Sequence, residues 1–168
     1  MEDTSTDRKH GLPPVAGSDA RLLILGSLPG EESLRAERYY AHPRNHFWRL
    51  LGQVLGEPLA DLSYEERLAV LVRRRIALWD VIGSARRQGS LDQQLRDVTA
   101  RDLPAFVADL PELRAVAFNG AAAARIGRRA LGLSRLALID LPSSSPALTL
   151  PFEVKAERWS DLGPLLVD

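Results

Sequence analysis

An α/β fold, a three-layer α/β/α sandwich with a central four-stranded parallel sheet, is predicted by three features of the sequence. Four short, mainly apolar runs, residues 21–25, 76–79, 113–118 and 135–139, have strand length and no polar alternation, as strands covered on both faces do. Segments with helical spacing or helix-capping residues separate them, so strand and helix alternate four times, the order that builds a parallel sheet between helices. Each run ends in small or polar residues: Gly26-Ser27, Asp80, Asn119-Gly120, and Asp140 followed by serines. The carboxyl ends of parallel strands open onto a crevice, so these four ends mark the candidate site.

Taken in order, residues 1–18 are polar with Gly11-Leu12-Pro13-Pro14 among them, and read as a flexible N-terminal tail that the prolines pin to the body. One domain, residues 19–168, is expected to follow. The first strand runs into Gly26-Ser27-Leu28-Pro29-Gly30, a tight turn whose small residues let backbone approach a ligand. Residues 31–38 have room for a helical turn or two. A firmer helix is expected from Asn45 or His46 to Leu55, with Phe47, Leu50, Leu51 and Val54 on one face, and Gly56-Glu57-Pro58 stops it. Ser63 and Glu66 form a capping box ahead of Leu68, Val70, Leu71 and Val72. Residues 86–91 read as a loop leading to a short helix. Asp102 caps a helix through Leu110 with Pro104 in its first turn. An alanine-rich helix spans residues 121–130, and residues 153–166 close the chain as a helix weakened at Gly163-Pro164. Phe47, Trp48, Trp79 and Trp159 are expected in the core.

Bulk composition excludes several chemistries. With 168 residues and 45% hydrophobic content the chain has the size of one ordinary domain. The absence of cysteine removes disulfides, thiol catalysis and cysteine metal sites. No apolar run reaches the roughly 20 residues of a membrane span, and the N-terminus lacks an apolar signal core, so a cytoplasmic protein is expected. Twenty-two basic residues balance twenty-two acidic ones, which offers no overall attraction to nucleic acid. Nearly all the basic residues are arginine, whose planar fork suits phosphate, so local clusters carry that possibility instead. Arg86-Arg87 and Arg125 with Arg128-Arg129 follow strand ends and are the phosphate-contact candidates, whereas Arg73-Arg74-Arg75 at a helix end reads as a solvated face that suits the helix dipole.

The densest chemistry lies in Tyr39-Tyr40-Ala41-His42-Pro43-Arg44-Asn45-His46-Phe47-Trp48. Flat aromatic faces, imidazoles, a fixed cation and an amide occupy ten residues there, a set suited to holding a flat polar ligand such as a nucleobase by stacking and amide contacts. His42 and His46 lack further metal ligands, so no metal and no other cofactor is expected. No GxxxxGKS loop or GxGxxG fingerprint is present.

Together, GSLPG after the first strand, YYAHPRNHFW, ALWDVIGSARRQGSLD, FNG and LPSSSPA resemble the uracil-DNA glycosylase superfamily, and within it most nearly the hypoxanthine-DNA (deoxyinosine) glycosylases. The resemblance spans residues 11–166. The HPRNHFW segment is also similar to the mismatch-specific uracil and thymine glycosylases, but those carry a catalytic Asn where this chain has Leu28. The resemblance implies a uracil-DNA glycosylase-like fold. It implies an enzyme that flips a deaminated base, hypoxanthine foremost, out of DNA and hydrolyses its N-glycosidic bond, with DNA as partner and a monomer as working unit.

By the same resemblance Asn45 supplies the catalytic amide and Asn119 a second pocket amide. Gly26, Ser27, Leu28, Pro29 and Gly30 form the pocket floor, Tyr40 stacks on the base with Phe47 beside it, and Asp80 stands near the place of a base-reading amide. His42, Arg44, Arg86, Arg87, Ser143, Ser144, Ser145 and Pro146 are implied DNA contacts, the serine loop gripping phosphates and entering the minor groove. Leu141 replaces the usual His of that motif. The two lysines, Lys9 and Lys155, lie far from the motifs in sequence, so hydrolysis without a Schiff base, and hence without strand cleavage, is expected.

Purely structural roles compete for the same residues. Asn45 is a good helix cap, Asn119-Gly120 a common turn pair, and Asp80 suited to capping the turn after its strand. Tyr39 and Tyr40 fit a core, and the serines fit a turn. Two other functions compete as well: a uracil- or mismatch-directed enzyme of the same superfamily, and a non-catalytic reader of damaged DNA. A nucleotide hydrolase finds no phosphate loop to support it.

Overall fold

The computed structural model describes residues 8–167. Its central sheet consists of β2 (Leu22–Gly26), β3 (Ile76–Asp80), β6 (Ala115–Asn119) and β7 (Ala137–Leu141), all parallel, in the spatial order β3-β2-β6-β7. The chain moves from β2 outward to β3, then crosses back to β6 on the other side. That reversal places the topological switch point at the carboxyl ends of β2 and β6, where a parallel sheet opens a crevice.

Strands β3, β2 and β6 are buried on both faces while the edge strand β7 is mostly exposed or half-buried, and the strand period of two divides the buried side chains between two cores. Leu22, Ile24, Ile76, Leu78, Ala115 and Ala117 face α2 (Phe47–Leu55), α3 (Tyr64–Arg73) and α6 (Phe152–Trp159). Leu23, Leu25, Ala77, Val116 and Phe118 face α4 (Leu103–Ala108) and α5 (Ala121–Leu131). The remaining helix, α1 (Glu31–Ala36), is short and ends at Glu37 in the left-handed region. Local signals act as expected: Ser63 and Glu66 complete a reciprocal capping box on α3, and Asp102 Oδ1 accepts the Ala105 N–H with Pro104 in the first turn of α4. The C-terminal helix breaks into a 3-10 turn from Ser160 to Leu166, over Gly163-Pro164.

Two features depart from the sequence expectation. A second, three-stranded antiparallel sheet of order β1-β4-β5 forms from β1 (Arg8–His10), β4 (Ile82–Arg86) and β5 (Arg96–Ala100). Residues 86–91 therefore begin as strand and lead to a single 3-10 turn, Asp92–Gln94, before β5. The five residues of β5 are all exposed, so no apolar pattern announces it.

The second departure is the expected N-terminal tail. Residues 1–7 lie outside the described residues, but residues 8–18 are bound to the body. Val15 exchanges backbone hydrogen bonds with Leu78 on the edge strand β3, at 2.9 and 2.8 Å. Leu12 is buried, its carbonyl accepts from Trp79 Nε1 and Arg101, and the Tyr39 hydroxyl donates to the Pro13 carbonyl at 2.8 Å. Polar composition hid an edge cover, because such a segment is fixed by its backbone groups rather than by an apolar face.

Candidate active site

The glycine-proline turn after β2 is held open from below. The Arg87 guanidinium, 2% exposed, donates to the carbonyls of Leu28 (3.2 Å), Pro29 (2.5 Å) and Gly89 (2.7 Å). The buried Leu28 and Pro29 and the exposed Gly89 thus share one cation through their carbonyls. The same turn is latched sideways to residues 90–92: Ser27 Oγ donates to Asp92 Oδ1 at 2.6 Å, and the Glu31 N–H donates to Ser90 Oγ at 2.9 Å. Arg87 is therefore a clamp beneath the pocket and not the DNA contact expected of it. Arg86 also turns away from the crevice, sitting on β4 with Nε 3.6 Å from Asp97 Oδ2. Arg86 ends β4 and Arg87 follows it in the turn to Gly89, so the end of the strand sends the two side chains apart, a register that the sequence did not display.

On the opposite wall, α2 begins at Phe47 with His46 at its N-cap, and Asn45 Oδ1 accepts the Phe47 N–H at 2.9 Å. Asn45 thus performs the structural role expected of it from just outside the helix. Its Nδ2 has no hydrogen-bond partner among the described residues, and Asn45 lines the crevice. Tyr40 has φ of 54°, in the left-handed region that a side chain larger than glycine seldom occupies, so backbone strain is accepted to place this ring. Phe47 stacks beneath it, ring centroids 3.8 Å apart and planes 13° from parallel. Phe47 is fully buried and does not line the crevice, so it backs the Tyr40 ring and makes no wall for a base, a correction to the expectation.

Asn119 closes β6 with both ends of its amide engaged. Nδ2 donates to Ser144 Oγ and Oδ1 accepts the Ser144 N–H, each at 2.9 Å, while the Ser144 carbonyl accepts the His46 N–H at 3.0 Å. Ser144 is 1% exposed and joins three elements, which removes its hydroxyl from the set of phosphate contacts. Ser143, Ser145 and Pro146 remain at the crevice rim with His42 and Arg44. Beneath the serine loop lies Lys155, wholly buried, its Nζ donating to the Ser145 carbonyl at 3.0 Å. The sequence distance that set Lys155 apart from the motifs is closed by α6. Burial holds its pKa below the ordinary lysine value, and it supports the loop without lining the crevice.

These walls enclose a cleft of about 420 Å³, lined by the expected Gly26, Ser27, Leu28, Pro29, Gly30, Tyr40, Asp80 and Asn119, and also by Tyr39 and the latch residues Ser90, Leu91 and Asp92. The latch was not singled out from sequence. Its signals were the GSLD end of the ALWDVIGSARRQGSLD motif and Gly89, which adopts φ of 72° to make the turn. At the floor, Gly26 has no room for a side chain: a Cβ there would sit 2.7 Å from Asp80 Oδ1 and 3.0 Å from the Tyr40 hydroxyl. Asp80 is 3% exposed, and desolvation outweighs the nearby Arg101, raising its carboxyl to about 7. Burial likewise pushes the Tyr40 hydroxyl above the ordinary tyrosine value, so it stays protonated. Among the described residues no group of three or more His, Cys, Asp or Glu could hold a metal ion.

A parallel sheet with Asp80 and Asn119 at its strand ends, faced across a base-sized cleft by the Tyr40 ring and the Asn45 amide from the segment before α2, defines an α/β protein with a site shaped for a flat polar ligand. Residues 13–163 match the family model described as the uracil DNA glycosylase superfamily, and the chain belongs to that superfamily. It is 41% identical over 139 residues to a hypoxanthine DNA glycosylase of Methanosarcina acetivorans, covering 83% of this chain and 87% of that one. To a hypoxanthine DNA glycosylase of Methanosarcina barkeri it is 43% identical over 113 residues, 67% of this chain and 72% of that one. The fold is also that of a Methanosarcina acetivorans protein solved by solution NMR and provisionally assigned as a uracil DNA glycosylase, with a TM-score of 0.83 and 37% identity over 95% of this chain and 98% of that one.

Proposed function

We propose that this protein is a monofunctional DNA glycosylase that receives a deaminated base, hypoxanthine foremost, flipped out of DNA and hydrolyses its N-glycosidic bond. The observation that carries the reading is the free Nδ2 of Asn45 at the wall of a cleft floored by Asp80, in a chain more than 40% identical to two hypoxanthine DNA glycosylases. Breaking the glycosidic bond builds positive charge on the sugar and negative charge on the departing base. An amide whose carbonyl already accepts the Phe47 N–H is fixed in orientation, so its amino group meets the base or the attacking water without reorganising. Tyr40, braced by Phe47, offers a ring for the extruded base. Asn119 serves by holding the serine loop through Ser144 and acts as a positioning residue. Lys155 is committed to a carbonyl and away from the cleft, which favours hydrolysis by water over a covalent amine intermediate.

The reading is tested by base release from duplexes of one sequence carrying hypoxanthine, xanthine or uracil at fixed salt. Hypoxanthine release should exceed the others, and Asn45→Ala should lower it by about 10²-fold or more, the effect of removing one well-placed polar group. Preferred uracil release with Asn45 dispensable would point to the uracil- or mismatch-directed activity, and binding of damaged duplex without release to a reader.

A further inference from the structure

The floor of the cleft holds an electrostatic anomaly. Asp80 is 3% exposed, its Oδ2 is buried without a hydrogen-bond partner, and among the described residues no cation forms an ion pair with it. The two guanidiniums that reach toward it are otherwise engaged: Arg87 on the carbonyls of Leu28, Pro29 and Gly89, and Arg101 on the Leu12 carbonyl and over the Trp79 ring, 4.5 Å from its centroid. Asp92 faces Asp80 with like charge, itself accepting from Ser27. The neighbouring phenols, Tyr39 and Tyr40, are held neutral by burial. An isolated carboxylate in such a place is far costlier than a neutral acid, which needs no counter-ion. Asp80 lines the cleft with Oδ2 closed to solvent, so a ligand meets both carboxyl oxygens only by settling fully onto the floor.

A neutral carboxyl offers an acceptor and a donor side by side. A lactam, the ring N–H beside a carbonyl that deamination creates in hypoxanthine, xanthine and uracil, offers the matching donor and acceptor. We propose that Asp80 reads the lactam edge of the extruded base in its protonated form, its carbonyl oxygen accepting the ring N–H while its O–H donates to the base carbonyl. The proposal deepens the glycosylase reading above and rests on it for the identity of the ligand. An ionised Asp80 accepts the ring N–H but sets its second oxygen against the base carbonyl, two acceptors facing across a dry site. The protonated pairing satisfies all four groups. Its donor also lies where negative charge grows as the base departs, so it continues to act as the bond breaks. The neutral acid pairs in reverse with the amidine edge of adenine as well. Refusal of adenine therefore rests on its poorer capacity to leave carrying charge and not on this contact.

Single-turnover release of hypoxanthine from duplex DNA, measured from pH 6 to pH 8 with the protein well below saturation so that the profile reports its free form, tests the proposal. With Asp80 titrating at about 7, the protonated fraction and hence release should fall about tenfold across that range. Asp80→Asn carries acceptor and donor at every pH, so its profile should be flat and its release at pH 8 should exceed that of the natural protein. N1-methylhypoxanthine, which keeps the carbonyl and lacks the ring N–H, should be refused by both. Release that rises from pH 6 to pH 8, an Asp80→Asn protein with an unchanged pH profile, or ready excision of the methylated base would each overturn the proposal. An independent readout is the carbon-13 resonance of the Asp80 carboxyl in the full chain. Its midpoint should move up when a duplex with 2′-fluoro-deoxyinosine, which resists hydrolysis, is bound, and a downward move overturns the proposal. An upward move in a protein that releases no base under any condition would support this pairing while sinking the glycosylase activity.

Discussion

At the scale of single residues, the site is a set of groups with two tasks. Asn45 caps the entry to α2 with its carbonyl, as its place before the helix in the sequence suggested, and its amino group stays unbonded at the cleft, where the proposed chemistry would use it. Asp80 stands apart because it has neither cap nor counter-ion. Its carboxyl binds protons in the folded state that it has lost in the unfolded chain between its ordinary value near 4 and about 7. The folded state then holds more protons than the unfolded one, so Asp80 removes stability as pH rises through that window. Asp80→Asn should accordingly raise the melting temperature at pH 8, with the gain shrinking toward pH 4. Equal melting temperatures at pH 8 would mean that the buried carboxyl bears no such penalty. The choice of Asp over Asn at this floor therefore costs stability where the acid is ionised, as a residue retained for binding is apt to do.

At the scale of elements, the cleft depends on close contacts that permit little change of volume. The α5 helix lies on β6 at Gly127, where an added Cβ would run into the Phe118 ring. Gly127→Ala gains helix propensity but overpacks a fully buried ring, and the second effect wins, with a loss of about 1–3 kcal/mol in denaturant unfolding. A stability equal to or above that of the natural chain would show that α5 shifts to make room. The consequence reaches function, because β6 ends in Asn119 and α5 begins after Gly120, so their packing fixes the anchor of the serine loop. The antiparallel sheet has a similar indirect part. Strand β4 carries Arg87 to the underside of the glycine-proline turn, and through it a region with no residue facing the ligand shapes the pocket floor.

At the scale of the whole molecule, the chain wraps its own edge. Residues 8–10 pair with β4, Val15 bonds to the outer edge of β3, and Leu12 and Pro13 between them supply carbonyls to Trp79, to Arg101, whose charge acts on Asp80, and to Tyr39, which lines the cleft. Removal of residues 1–15 should therefore lower the melting temperature, expose the β3 edge to self-association seen by light scattering, and weaken base release. An unchanged melting temperature and a monodisperse product would show the segment to be dispensable. The formal charges balance over the whole sequence, and Arg44 is the arginine among the residues that line the cleft.

The sequence by itself determined the parallel sheet, the order of its helices, the crevice at the strand ends and most residues that line it. Apolar runs, caps and glycine turns are local, short-range physics, readable wherever a segment's own pattern decides its state. Only the tertiary structure decided the rest: that Arg87 clamps a turn, that Ser144 is spent on Asn119, that Phe47 braces Tyr40, that Lys155 returns beneath the serines, and that β1, β4 and β5 form a second sheet. Each of these depends on which polar group meets which across a long stretch of chain. A hydrogen bond between distant residues leaves no period in the sequence, so its partners become known only when the fold has brought them within reach.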